Sequence, residues 1–201
     1  ENTFKRFESD IKSWETTAAT GYLVRTNGMY YVLKDSKKEI VIDYNLNIMN
    51  HETIGLWESL GVAGETVSPE LTLEEIMPLE GNLEKIVYGY IPVMTSQQCI
   101  LRHTNNCQKK VKEKKLYTIK DRKDTPWAIQ TDCEACVMQI LSYEPIVVKS
   151  SELQRIKNQM NVRLQFNKED VSETHKVLSA YLEGKTFTPA SLEGINFKGA
   201  L

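Results

Sequence analysis

The residues best equipped for chemistry fall into two groups. The first is polar and recurs where short apolar runs end. Tyr22-Leu23-Val24 runs into Arg25, and Ile40-Val41-Ile42 runs into Asp43, with Asn45, Asn47 and Asn50 just beyond. Thr66-Val67 leads to Ser68 and Glu70, and Val87-Tyr88-Gly89 leads to Tyr90. Asp43 and Glu70 are the carboxylates of this set, the residue type that serves as general acid and base. Arg25, Asn45, Asn47, Asn50, Ser68 and Tyr90 offer donors and acceptors to a polar substrate. Taken singly, Ser, Asp and Asn are also what turns and helix caps prefer. The functional reading rests on their repetition at the same end of successive runs.

The second group is four cysteines, Cys99, Cys107, Cys133 and Cys136, with none in the first 98 residues. Thiolates bind zinc or iron–sulfur clusters, and four in a short span can close one site. Cys133 and Cys136 form a C-x-x-C pair whose sulfurs can face one metal across a turn. Cys99 and Cys107, with seven residues between them, are loose for a zinc knuckle. Metal-free thiols are the alternative. His103 lies between those two cysteines, but no Asn or Asp can be assigned to orient it, so a cysteine–histidine dyad has no support. Neither H-E-x-x-H nor G-x-S-x-G occurs. Lys109, Lys110, Lys112, Lys114, Lys115, Lys120, Arg122 and Lys123, with Tyr117 and Trp127 near, suit RNA phosphates and bases. Glu113, Asp121 and Asp124 dilute that run, as in a solvated loop.

The elements that must position these groups follow from periodicity. Phe4, Phe7, Ile11 and Trp14 predict an amphipathic helix over 3–16. Four apolar runs centre near 23, 41, 66 and 87, about 20 residues apart. Thr26-Asn27-Gly28 reads as a turn. Helices are predicted over His51–Leu60, stopped by Gly61, and over Leu73–Met77, with Thr72 and Glu75 as a capping box. Strand and helix alternating at this spacing make parallel βαβ units, and four of them are half of an eight-fold barrel. A small open α/β sheet is the alternative. Beyond Gly89, strands are predicted at Leu116–Ile119, Trp127–Ile129, Met138–Leu141, Ile146–Val148 and Asn161–Phe166. Helices are predicted at Ser151–Gln159 and Lys168–Glu183. The expected domains are a half β/α barrel of four βα units over 1–95 and a cysteine-containing α+β module with C-terminal helices over 96–201.

Composition bounds the function classes. The 201 residues are 41% apolar and 26% charged, with a net charge of -2. That is neither a disordered nor a fibrous composition, and it gives no global field toward nucleic acid or membrane. No apolar run is long enough to span a bilayer, and Glu1–Ser13 lacks the apolar core of a signal peptide. Clustered cysteines in a chain of this size favour a reducing compartment, so a cytoplasmic location is expected. The start at Glu1 reads as a cut from something longer.

Five segments carry a resemblance. Asp43-Tyr44-Asn45-Leu46-Asn47-Ile48-Met49-Asn50 resembles a D-x-x-L-N-hydrophobic-x-N strand end, and Ser68-Pro69-Glu70-Leu71-Thr72-Leu73-Glu74-Glu75-Ile76 an S-P-E-L-x-x-x-E-I segment. Val87-Tyr88-Gly89-Tyr90-Ile91-Pro92-Val93-Met94, followed by Cys99, resembles hydrophobic-x-G-x-x-P-x-M…C. Ile119-Lys120-Asp121-Arg122 resembles L-K-D-R, and Asp132-Cys133 resembles D-C. In this order, over roughly residues 20–148, they are similar to the bacterial U32 (collagenase-like) peptidase family.

The resemblance implies an α/β fold: the second half of a TIM-type β/α barrel, then a small Cys-containing α+β module. It implies a peptidase, with an iron–sulfur-dependent RNA (tRNA or rRNA) hydroxylation enzyme and a non-catalytic zinc or scaffold module as alternatives. A 4Fe–4S cluster on Cys99, Cys107, Cys133 and Cys136 would follow, with zinc or no metal as alternatives. The implied partners are a missing N-terminal half of the barrel, a second copy in a homodimer, and an RNA or protein substrate, with no membrane. This fragment alone is expected to be inactive. A half-barrel leaves its outer strands unpaired, so the C-terminal helices or a second copy are expected to cover an edge.

Overall fold

β-Branched runs too short for helices, each followed by a well-capped helix, build a parallel sheet. The computed structural model describes residues 10–11, 13–104, 107, 115–133, 136–185 and 187. Strands β1 (Gly21–Val24), β2 (Glu39–Ile42), β3 (Gly64–Thr66) and β4 (Leu83–Gly89) pair in parallel, with Val24 beside Ile42, Val41 beside Gly64 and Glu65 beside Leu83. The sheet curls as a half-barrel within a mixed α/β fold. Its order is β1-β2-β3-β4-β10, where β10 is Asn161–Gln165; the short β9 (Ile146–Val147) pairs antiparallel with the end of β4. Asn161 meets Asn82 and Arg163 meets Glu84, so β10 runs in the direction of β4. A strand from the C-terminal region therefore lies at that edge, where helices or a second copy were expected.

Register sorts the side chains onto two faces. Val24, Ile42 and Leu83 face the helices, joined by the buried Leu33, Ile54 and Trp57. Burying side chains of this size stabilises by roughly 1.5–3 kcal/mol each. Leu23, Val41, Asp43, Thr66 and Glu84 alternate onto the opposite, inner face.

Three helices separate the strands. Helix α1 (Asn27–Leu33) occupies the segment whose Thr26-Asn27-Gly28 reads as a turn. Thr26 is extended and its hydroxyl accepts from the Met29 amide at 3.2 Å, so the turn residue is an N-cap instead. Helix α2 (His51–Ser59) starts at Asn50, which exchanges hydrogen bonds with Thr53 in a capping box. Helix α3 (Leu73–Ile76) starts at the expected Thr72–Glu75 capping box. Before β1, residues 10–11 and 13–15 are helical, as predicted; Phe4 and Phe7 lie outside the described residues.

Beyond β4, β5 (Pro92–Ser96), β6 (Lys115–Lys120), β7 (Pro126–Asp132) and β8 (Val137–Leu141) form an antiparallel sheet in the order β5-β8-β7-β6. Three of these match predicted runs. Strand β5 and the short helix α4 (Ile100–His103) carry too little periodicity to be read in advance. Helices α5 (Ser150–Lys157) and α6 (Val171–Leu182) flank β10. Lys109, Lys110, Lys112 and Lys114 of the basic run lie outside the described residues. No helix among the described residues is long and apolar enough to cross a membrane.

The chain divides into two compact units. Among the described residues, the first takes everything up to Ile86 together with Gln154–Arg163; the second takes Val87–Leu153 and the chain from Leu164 onward. The boundary expected at 95/96 falls inside the second unit.

Candidate functional site

In the first unit the inner face is organised by Asp43, the residue after β2. Its backbone amide donates to the Val24 carbonyl at 2.8 Å, which extends the sheet ladder by one step and turns the carboxylate inward. Asp43 is fully buried. Its Oδ1 accepts from the Tyr44 amide at 2.9 Å and from Arg163 Nη2 at 2.5 Å, and its Oδ2 accepts from Arg25 Nε at 2.8 Å. A lone buried carboxylate would be strongly unfavourable, and two guanidiniums offset that cost. Arg163 Nε lies 3.3 Å from Glu84 Oε1, close enough for an ion pair but off the line of a hydrogen bond. Glu84 Oε1 also accepts from the Thr66 hydroxyl at 3.0 Å. The result is a row of alternating charge, Glu84–Arg163–Asp43–Arg25. Burial is deepest at Asp43, and Arg25 is the most open member, its side chain 55% exposed against 17% for Arg163.

This geometry gives Asp43 the part of an anchor. Both its oxygens are engaged, and its work is to hold two arginines. Glu70 is different: it is exposed, and only its backbone amide is held, by the Ser68 hydroxyl at 3.3 Å. No hydrogen bond or ion pair joins Glu70 to Asp43 among the described residues. Asn45 is exposed in the 3-10 turn Tyr44–Leu46, Asn47 ends that turn in the left-handed region at φ 57°, and Asn50 caps α2. Ser68 is buried and its carbonyl accepts from Lys85. Of the sequence candidates in this unit, the fold joins Arg25 with Asp43 and places the others in turns and caps.

Two buried charged side chains of β3 and β4 were not foreseen. Lys85 Nζ donates to the Ser68 and Leu71 carbonyls at 3.0 Å each, fixing the loop that carries Glu70. Burial holds its pKa down at about 8, with Glu75 acting in the opposite sense. Glu65, on the helix side, is buried with neither carboxylate oxygen hydrogen-bonded. Burial pushes its carboxyl up to about 7, and Glu58 of α2 adds to the shift.

In the second unit, Tyr90 is buried just beyond β4. Its carbonyl accepts from Asn167 Nδ2 at 2.6 Å, and Lys168 Nζ sits 3.8 Å from its ring centroid. Burial, reinforced by the nearby Glu169, pushes the phenol up to about 12. Tyr88 packs its ring against Phe166 and Tyr181.

All four cysteines are free thiols in this unit. Cys99 precedes α4, while Cys133 and Cys136 bracket the turn from β7 to β8. The register pairs Ser96 with Met138 and Asp132 with Val137, so these three cysteines stand at one end of the antiparallel sheet. Cys107 lies in the connection toward β6. No three His, Cys, Asp or Glu side chains among the described residues converge on a point that could hold a metal. No hydrogen bond joins His103 to a cysteine thiol among the described residues.

A parallel half-barrel with charged groups at its strand ends is the layout of α/β enzymes that bind substrate at the carboxyl ends of their strands. The family profile for peptidase family U32 matches residues 1–115, more than half of the chain. The chain therefore belongs to peptidase family U32. The match takes in Arg25, Asp43, Glu70, Cys99 and Cys107 and stops short of Cys133, Cys136 and Arg163. Searches of curated proteins and of solved structures returned no match.

Proposed function

We propose that this chain is the substrate-binding part of a U32-family peptidase, holding an extended polypeptide against the ends of β1, β2 and β3. The observation that carries the reading is the charged row on the inner face, of which Arg25, Asp43 and Glu84 lie within the family match and Arg163 beyond it. In this reading Asp43 fixes the arginines, and Arg25 meets the substrate. Glu70, exposed on a loop tied down by Lys85, is the general acid and base. Asn45, Asn47, Asn50 and Ser68 shape the rim. The test uses labelled gelatin, an unfolded polypeptide. The chain should bind it, and any release of new amino termini should fall about 100-fold in Glu70→Gln while binding persists. A chain that ignores gelatin but binds a single-stranded RNA oligonucleotide would overturn the proposal.

A second reading, an iron–sulfur enzyme acting on RNA, draws on one observation: Cys99, Cys133 and Cys136 share an end of their sheet. It requires the thiols to close together with Cys107. Anaerobic reconstitution with iron and sulfide discriminates. Brown protein with cluster absorbance that is lost in Cys99→Ser favours this reading, and colourless zinc-binding protein favours a non-catalytic module.

A further inference from the structure

The alternating row on the inner face is closed at one end and open at the other. At the closed end, Glu84 is held by Arg163 and by the Thr66 hydroxyl. At the open end, Arg25 spends only its Nε, on Asp43. Its two terminal nitrogens have no partner among the described residues, and more than half of its side chain is exposed. Each charge in the row has an opposite charge on both sides except the outermost two, and only Arg25 faces water with its fork free.

We infer that Arg25 is a specificity-determining residue that binds a side-chain carboxylate, Glu or Asp, of the polypeptide substrate. The inference rests on the reading of the inner face as a polypeptide site and deepens it by naming what that site selects. Three features favour it. The first is that Arg25 is ordered before ligand arrives. Asp43 cannot swing away with it, because Arg163 and the Tyr44 amide hold the other carboxylate oxygen; the entropic cost of binding is therefore low. A second is shape: two terminal nitrogens in one plane match the two oxygens of a carboxylate. The third is the neighbourhood. Leu23, two residues back on the same face, is 40% exposed and has the half-buried Val41 beside it in register. That apolar strip suits the methylenes of a Glu side chain. A polyphosphate backbone is disfavoured, since one open arginine on a chain of net charge -2 is a weak polyanion site.

The experiment compares two labelled peptides that differ only in Glu against Gln, titrated with the full chain and read by fluorescence anisotropy. The Glu peptide should bind about tenfold more tightly, the scale of one charge-assisted fork. Arg25→Gln should abolish the preference, so that the two peptides bind the variant with equal affinity. Arg25→Lys, which keeps the charge but not the fork, should restore only part of the preference. Equal binding of the two peptides to the unmodified chain overturns the inference and leaves polypeptide binding standing; so does a preference that survives Arg25→Gln. Binding of neither peptide, with capture of a single-stranded RNA oligonucleotide instead, overturns both. The first comparison needs no variant, so misfolding of Arg25→Gln cannot mask the answer.

Discussion

Glu65 lies between Ile42 and Leu83 in register, facing the helix layer, with both carboxylate oxygens lacking hydrogen bonds. Its carboxyl titrates near 7 rather than at the ordinary 4.5, so the folded chain prefers the protonated form. The stability that this proton contributes is full below pH 4.5 and is lost as the pH rises toward about 7. Glu65→Leu should remove that dependence. The variant should gain over the parent on the order of 3 kcal/mol at pH 8 and little at pH 4.5, read from urea unfolding at both values. Single residues were unevenly legible in the sequence. Arg25 and Asp43 announced themselves by standing at the ends of apolar runs. Arg163 did not, although it interrupts the alternation of Val162, Leu164 and Phe166 on the other face of its strand. Nothing in a linear reading says that its partner stands 120 residues earlier.

At the scale of elements, periodicity found nearly every strand, because each is a β-branched or aromatic run bounded by turn residues. It missed α1, where a cap and a turn are written with the same residue types. It could not see that β10 joins the parallel sheet, since strand pairing is a long-range property. That junction depends on Gly89. Its φ is +143°, and a Cβ there would collide with the Gln165 carbonyl oxygen. Gly89→Ala should destabilise the chain by about 1–3 kcal/mol, the range for backbone strain, and more if the strands must part. Gly184, at φ +75° with open space around it, is the control: its alanine variant should cost about 1 kcal/mol. Thermal midpoints of the two variants compare them directly, and equal shifts would count against the close approach of β10.

The whole molecule resists simple cutting. The first unit borrows Gln154–Arg163 from far along the chain, and with it the second arginine on Asp43. A fragment of residues 1–95 matches the half-barrel suggested by the sequence yet lacks that arginine. Removing one partner of a buried ion pair costs about 3–5 kcal/mol, comparable to the whole stability of a small domain. The fragment should show no cooperative unfolding by circular dichroism, and adding a peptide spanning residues 150–166 should restore it. The same contact bears on how the chain is made. On a ribosome adding about 5–20 residues per second, Asp43 is added roughly 6–24 s before Arg163. Throughout that interval Asp43 has Arg25 but not its second arginine, and the β4 edge of the half-sheet is uncovered. An open strand edge of that kind invites pairing with other chains, and the exposure ends only when residues 161–165 have been made.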